Sequence, residues 1–179
     1  NYVNTYNSPN YSRSKEMSSL RFSLVSKYTK SKSIMDVGYG NGDFLNECLK
    51  NNLVCSGYDI SDYPLINGIH RAQNIFEEND CITFFDSIEH FTEINLQLNV
   101  KWLIISAPWC HWTEDMIGFE TWKHRKPNEH FHHFDMRGLI TLAELGGFSV
   151  VHASNIEDEI RISVTGKPNI ATIVAVNKK

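Results

Sequence analysis

The chain has 179 residues, 41 % hydrophobic and 21 % charged, with a formal net charge of −4. This suits one domain with a proper core. It argues against a general nucleic-acid binder, which needs clustered Lys and Arg to neutralise phosphates. No apolar run reaches the length of a membrane span and nothing at the start reads as a signal peptide, so no membrane partner is expected. The cysteines Cys48, Cys55, Cys81 and Cys110 form no CxxC pair and sit mostly among apolar neighbours, which predicts reduced thiols and a cytoplasmic setting.

Taken along the chain, residues 14–29 carry Leu20 and Leu24 at helical spacing and predict a leading helix. The segment before Asp36 holds six basic residues, among them Arg13, Arg21 and Lys27, interleaved with Tyr2, Tyr6, Tyr11 and Tyr28. The plain expectation for residues 1–30 is a solvated helix with a frayed tail, and the sharper one is a flap closing over a bound anion. Ser33 to Val37 predicts a short buried strand, a glycine-rich turn follows, and Asp43 to Lys50 predicts a helix with Phe44, Leu45, Cys48 and Leu49 inward.

Leu53 to Ile60 predicts a second strand. Residues 64–80 suggest a short helix and a strand remnant near Ile75 and Phe76. Cys81 to Phe85 predicts a buried strand, followed by a helix through Phe91 to Leu98, then a strand from Trp102 to Ala107 stopped by Pro108. Residues 108–134 are a long loop rich in aromatics and histidines, a length usually reserved for function. Asp135 is placed to N-cap a helix ending at Gly146-Gly147, and Phe148 to Ser154 and Ile170 to Val176 predict closing strands. Alternating short strands and helices indicate an α/β fold: a Rossmann-like, doubly wound, mostly parallel sheet with an antiparallel closing hairpin, in a single domain over 1–179.

The chemistry concentrates at Asp36-Val37-Gly38-Tyr39-Gly40-Asn41-Gly42-Asp43. Glycines between a strand and a helix let the backbone turn sharply and approach a ligand. The spacing is GxGxG rather than the dinucleotide GxGxxG, and Asp43 at the helix start would repel a pyrophosphate. Asp36 suits a cationic amine. Asp59 ends the second strand, where an acid can accept both ribose hydroxyls. Together they point to an adenosine-containing ligand, leaving an NAD-dependent oxidoreductase or a nucleotide-binding module as alternatives.

These segments resemble the class I S-adenosylmethionine-dependent methyltransferase superfamily. Asp36 to Gly42 is similar to its first motif, and Gly57-Tyr58-Asp59-Ile60 to its second. Phe84 to Phe91, with Glu89-His90, and His130-Phe131-His132-His133-Phe134 followed by Gly146-Gly147-Phe148 resemble the ubiquinone-biosynthesis-like O-methyltransferases. The resemblance implies S-adenosylmethionine as cofactor. Asp36, Val37, Gly38, Tyr39, Gly40 and Gly42 would hold its methionine end and Asp59 its ribose, with Ile60 packing on adenine and Asp86 and Ser87 lining the methionyl pocket. Residues 60–80 depart from the family by being short, and no adenine-amino contact is assignable there.

Transfer to a hydroxyl would want a general base, for which His90, His111, His130 and His133 are candidates. The expected activity is O-methylation of a small-molecule acceptor. Asp86-x-x-Glu89-His90 also resembles the metal-binding element of small-RNA 3′-end methyltransferases. No metal is expected, Glu89 and His90 capping and packing their helix. The alternative is a divalent ion completed by a histidine from 130–133, and with it an RNA-end acceptor. Trp109, Trp112, Phe119 and Trp122 would either border an acceptor pocket or pack as a lid.

Overall fold

The computed structural model describes residues 14–112, 118–163 and 166–179. Tyr2, Tyr6, Tyr11 and Arg13 of the expected flap lie outside the described residues. In chain order the main elements are α1 (Ser14–Tyr28), β1 (Ser33–Val37), α2 (Asp43–Lys50), β2 (Val54–Tyr58), β3 (Ile69–Arg71), β4 (Cys81–Phe85), β5 (Trp102–Pro108), α3 (Met136–Leu145), β6 (Phe148–Ser154) and β7 (Ile170–Asn177). The strands form one sheet in the order β3-β2-β1-β4-β5-β7-β6. The first five pair in parallel, and β7 enters antiparallel between β5 and β6. The expected α/β sheet with an antiparallel closing hairpin is the observed one.

Strand periodicity divides the core between the two faces of the sheet. Met35, Ile82, Phe84, Leu103, Ile105 and Ile173 face the buried side of α3, with Leu139 and Ala143. Ile34, Cys55, Cys81, Phe85, Ile104 and Val174 face Phe44, Leu45 and Cys48 of α2 and Val25 of α1. The four cysteines are free and buried. Burial pushes the Cys55 thiol up to about 11, so it behaves as a packing group and not a nucleophile. Asp135 caps α3 as expected, accepting from the Gly138 amide at 2.6 Å. No helix among the described residues is long and apolar enough to cross a membrane.

Two expected helices are absent. The helix from Phe91 to Leu98 is replaced by a single 3-10 turn, Ile88–His90, and an extended run. Its buried residues are Leu96, Leu98 and Val100, alternate positions that fit an extended chain and not a helix face. The end of α3 comes so close that a Cβ on Gly146 would lie 2.7 Å from the Leu96 Cβ, which leaves no room for a helix. Between β2 and β4 there is no helix either. The third strand is Ile69–Arg71, and the remnant expected at Ile75 and Phe76 is a turn whose Phe76 amide donates to the Asn74 side chain.

The contact of β2 with the glycine turn is close. A Cβ on Gly57 would meet Tyr39 Cδ1 at 2.7 Å and Leu45 Cδ1 at 2.8 Å. Gly57→Ala is therefore expected to lower stability by about 1–3 kcal/mol, the usual cost of overpacking. Urea unfolding checks this, and an unchanged midpoint would show that Tyr39 moves aside freely.

Candidate active site

The glycine turn links the carboxyl end of β1 to α2. Gly38, Gly40 and Gly42 all have positive φ, at 81°, 56° and 77°. At Gly38 the requirement is double, because a Cβ would also lie 2.5 Å from the Ser87 Cβ. The Gly38 amide donates to the Tyr58 carbonyl at 2.7 Å and the Gly42 amide to the Tyr39 carbonyl at 2.9 Å. Tyr39 is buried and donates its hydroxyl to the Tyr63 carbonyl at 2.8 Å, so it supports the turn from beneath. Val37 is likewise buried, leaving only its backbone to serve a ligand.

Asp36 is buried under this turn and accepts from Thr83 Oγ1 at 2.7 Å. Burial pushes its carboxyl up to about 6, against the pull of the Thr83 hydrogen bond and the Arg21 charge. A cationic amine nearby would stabilise its charged form. Asp59 accepts from the Gly40 amide at 3.0 Å and from the Ser61 amide at 2.7 Å, one bond to each carboxylate oxygen. Each oxygen keeps a second lone pair for a diol. Ser87 Oγ is buried against Gly38 and has no hydrogen-bond partner among the described residues. These groups fit the amine, ribose and methionyl parts of S-adenosylmethionine. Ile60 is 88 % exposed at the open end of the cradle, where a planar base could cover it.

Asp86 has a different environment from the one expected. It sits between two arginines: Arg161 Nη1 donates to both carboxylate oxygens at 2.7 Å, and Arg21 Nη2 to one at 2.9 Å. Burial would raise its carboxyl, yet the Arg161 and Arg21 charges hold it well below the usual carboxylate range. Arg21 also grips the fully buried Glu157, Nε to Oε1 at 2.8 Å and Nη2 to Oε2 at 3.0 Å. Arg21 is thus an anchor and not part of a surface flap. The sequence carried a signal for it, since Arg21 lies four residues from both Met17 and Val25 on the buried stripe of α1. Glu157 and Arg161 were missed too, although they form an i,i+4 pair.

Beyond Asp86 the chain brings three candidates together. Glu89, His90 and His130 have ligand atoms within 4.8 Å of one another, and the two imidazoles meet edge to face at 4.6 Å between centroids. The Glu89 carbonyl accepts from the Phe131 amide at 2.8 Å, which draws the 130s loop onto the turn after β4. Burial and the Asp86 charge push the Glu89 carboxyl up to about 8, and its Oε2 has no partner among the described residues. Burial pushes His130 down to about 4 and lowers His90 as well. This set could hold a divalent ion or act on a proton.

His133 lies farther out, 6.5 Å from His130, among Phe119 and Trp122. His111 does not join the group: it stacks on Trp109 and its Nε2 pairs with the Pro168 carbonyl at 2.6 Å. Trp112 contacts Trp122 at 5.4 Å, so these aromatics pack on one another beside the histidines.

The Glu89 environment predicts a pH dependence of the metal-free protein. The unfolded carboxyl ionises near its ordinary 4.5 and the folded one near 8. Between those values the folded state holds the extra proton on this carboxyl, so the Glu89 contribution to stability falls as pH rises. Glu89→Gln is expected to remove that slope and to gain stability on the order of a few kcal/mol at pH 8. Urea unfolding with chelator across pH 5–8 measures it. Parallel slopes in the two proteins would mean that Glu89 is already ionised when folded.

Comparison with known proteins accords with this geometry. The family model described as a methyltransferase domain matches residues 11–153. No curated protein matches the chain in sequence. Among solved structures, an S-adenosylmethionine-dependent methyltransferase from Archaeoglobus fulgidus is 17 % identical with a TM-score of 0.65, covering 91 % of this chain and 94 % of its own. The methyltransferase domain of bacterial CtHen1 is 16 % identical with a TM-score of 0.64, covering 93 % and 99 %. Magnesium protoporphyrin IX methyltransferase from Synechocystis PCC 6803, solved with S-adenosylhomocysteine, is 12 % identical with a TM-score of 0.60, covering 92 % and 83 %. With the glycine turn, Asp36 and Asp59 in place beneath that match, the chain belongs to the methyltransferase-domain family and is a class I S-adenosylmethionine-dependent methyltransferase.

Proposed function

We propose that this methyltransferase acts on a hydroxyl oxygen of a small-molecule acceptor, with His90 as general base and His130 beside it. The observation that carries the proposal is the pair of neutral imidazoles at the carboxyl edge of the sheet, just past the cofactor cradle. S-adenosylmethionine supplies a methyl group already activated on a sulfonium. The chain has to orient the acceptor, exclude water and take one proton. Both rings are neutral at pH 7 because burial disfavours their charged forms, and His90 is the less depressed of the two. Trp109, Trp112 and Trp122 offer flat apolar surface for the acceptor. The relative from Synechocystis, whose name specifies magnesium protoporphyrin IX, supports a small planar acceptor by likeness of fold.

A second reading is favoured by the same cluster seen as ligands. Glu89, His90 and His130 fit a divalent ion in donor type and spacing, and Glu89 Oε2 has no partner among the described residues. In that case the ion would supply the activation of the hydroxyl, and an RNA 3′ end becomes the acceptor class. The net charge of −4 favours the small molecule.

Three measurements check these statements. Asp59→Ala is expected to weaken S-adenosylhomocysteine binding by about 1–3 kcal/mol, the scale for leaving polar groups unpaired in a closed site. Calorimetry giving an unchanged dissociation constant would place the ribose elsewhere. With an acceptor found by mass-spectrometric screening of hydroxylated compounds, His90→Ala should lower kcat by about 10²-fold or more with little change in cofactor binding. Turnover should survive chelator. Loss that magnesium, manganese or cobalt restores, and that Glu89→Ala mimics, selects the metal-assisted reading instead.

A further inference from the structure

Asp86 lies where the two halves of the site meet, and its backbone is unusual. It has a left-handed φ of 53°, uncommon for a residue with a side chain although Asp adopts it more readily than most. Its amide donates to the Ser106 carbonyl of β5 at 2.9 Å. Its carboxylate is held by Arg161 from the turn after β6 and by Arg21 from α1. Arg21 is itself fixed by Glu157 and lies 4.4 Å over the Phe85 ring. Asp86 is therefore pinned from three separate elements. The next residue is Ser87, whose Cβ occupies the space that a side chain at Gly38 would need.

The charges of this network balance, two arginines against Asp86 and Glu157. With its charges paired off internally, what the network adds at Ser87 is geometry. We propose that Arg161 and Arg21 are positioning residues of the cofactor site: by fixing Asp86 they hold Ser87 against the glycine turn and keep its unpaired hydroxyl in place for the methionyl end of the cofactor. The N-terminal helix and the turn after β6, both remote in sequence from the glycine motif, thereby become part of the binding apparatus. The inference rests on the cofactor site alone and is independent of the acceptor.

Arg161 is the residue to change. Removing Arg21 would leave the fully buried Glu157 short of its bidentate partner, whereas without Arg161 both acids keep Arg21. Arg161→Met keeps the stem and loses the fork, and Arg161→Lys keeps the charge on a gentler change that guards against misfolding. S-adenosylhomocysteine is titrated by calorimetry into each variant, into Ser87→Ala and into the double variants, with the ligand-free Tm recorded alongside. The expected result is a dissociation constant raised about tenfold by Arg161→Met and less by Arg161→Lys, each effect shrinking below about twofold in the Ser87→Ala background, as for residues acting through one another. A changed Tm with unchanged affinity in the folded Arg161 variants would make the network a mere staple and overturn the proposal. So would an effect that persists in full without the Ser87 hydroxyl.

Discussion

The site depends on one close approach, that of the turn after β4 to the turn after β1. It is possible only because Gly38 has no side chain, so that Ser87 occupies the place of its missing Cβ. In a parallel sheet β1 and β4 are neighbours, and their carboxyl ends open onto the same crevice. Closing the gap between their loops turns two strand ends into one wall. Asp36 then lies buried below the glycine turn with Ser87 against it, while Glu89 and His90 follow in the next turn of the chain. A larger residue at position 38 would separate the cofactor cradle from the histidines as well as spoil the turn.

Three carboxylates stand along this wall, and their surroundings make them chemically different. Asp36 is buried beside a hydroxyl, with its charge only partly supported. Asp86 is fully committed to two guanidinium groups and stays ionised. Glu89 is buried with a charged acid nearby and keeps its proton through neutrality. The ordering follows from burial and partners, not from residue type. It separates a group suited to a cationic ligand, a group that holds structure, and a group suited to a proton or a metal ion.

Much of this was legible in the sequence. Apolar runs bounded by turn residues located β1, β4, α2 and α3 because in each the local pattern and the tertiary role agree. The glycine turn and Asp59 were legible for the same reason, since their spacing is set by a single strand–turn–helix unit. The segment 91–100 was misread because Phe91, Ile94 and Leu98 can also be read at helical spacing. Burial of Leu96, Leu98 and Val100 shows which period won. The pairing of Arg21 and Arg161 with Asp86, and of Arg21 with Glu157, was illegible because these partners come from elements far apart in the chain. Which buried charge meets which is decided by topology. The nearness of His130 to His90 was legible only as an alternative, through the resemblance, and it rests on a backbone bond from Phe131 to Glu89 that no local pattern announces.

The placement of β7 bears on how the polypeptide reaches this state. β5 is flanked by β4 on one side and β7 on the other, and β6 reaches the sheet only through β7. During synthesis the parallel part of the sheet can assemble while β5 still lacks its second neighbour. Until the chain beyond Ile170 leaves the ribosome, the strand Trp102–Pro108, apolar over most of its length, presents an open row of amides and carbonyls. Such an edge is a template for pairing with another nascent copy. Completion of β7 is then the event that seals it, which makes late-chain truncations a hazard to solubility and not only to activity.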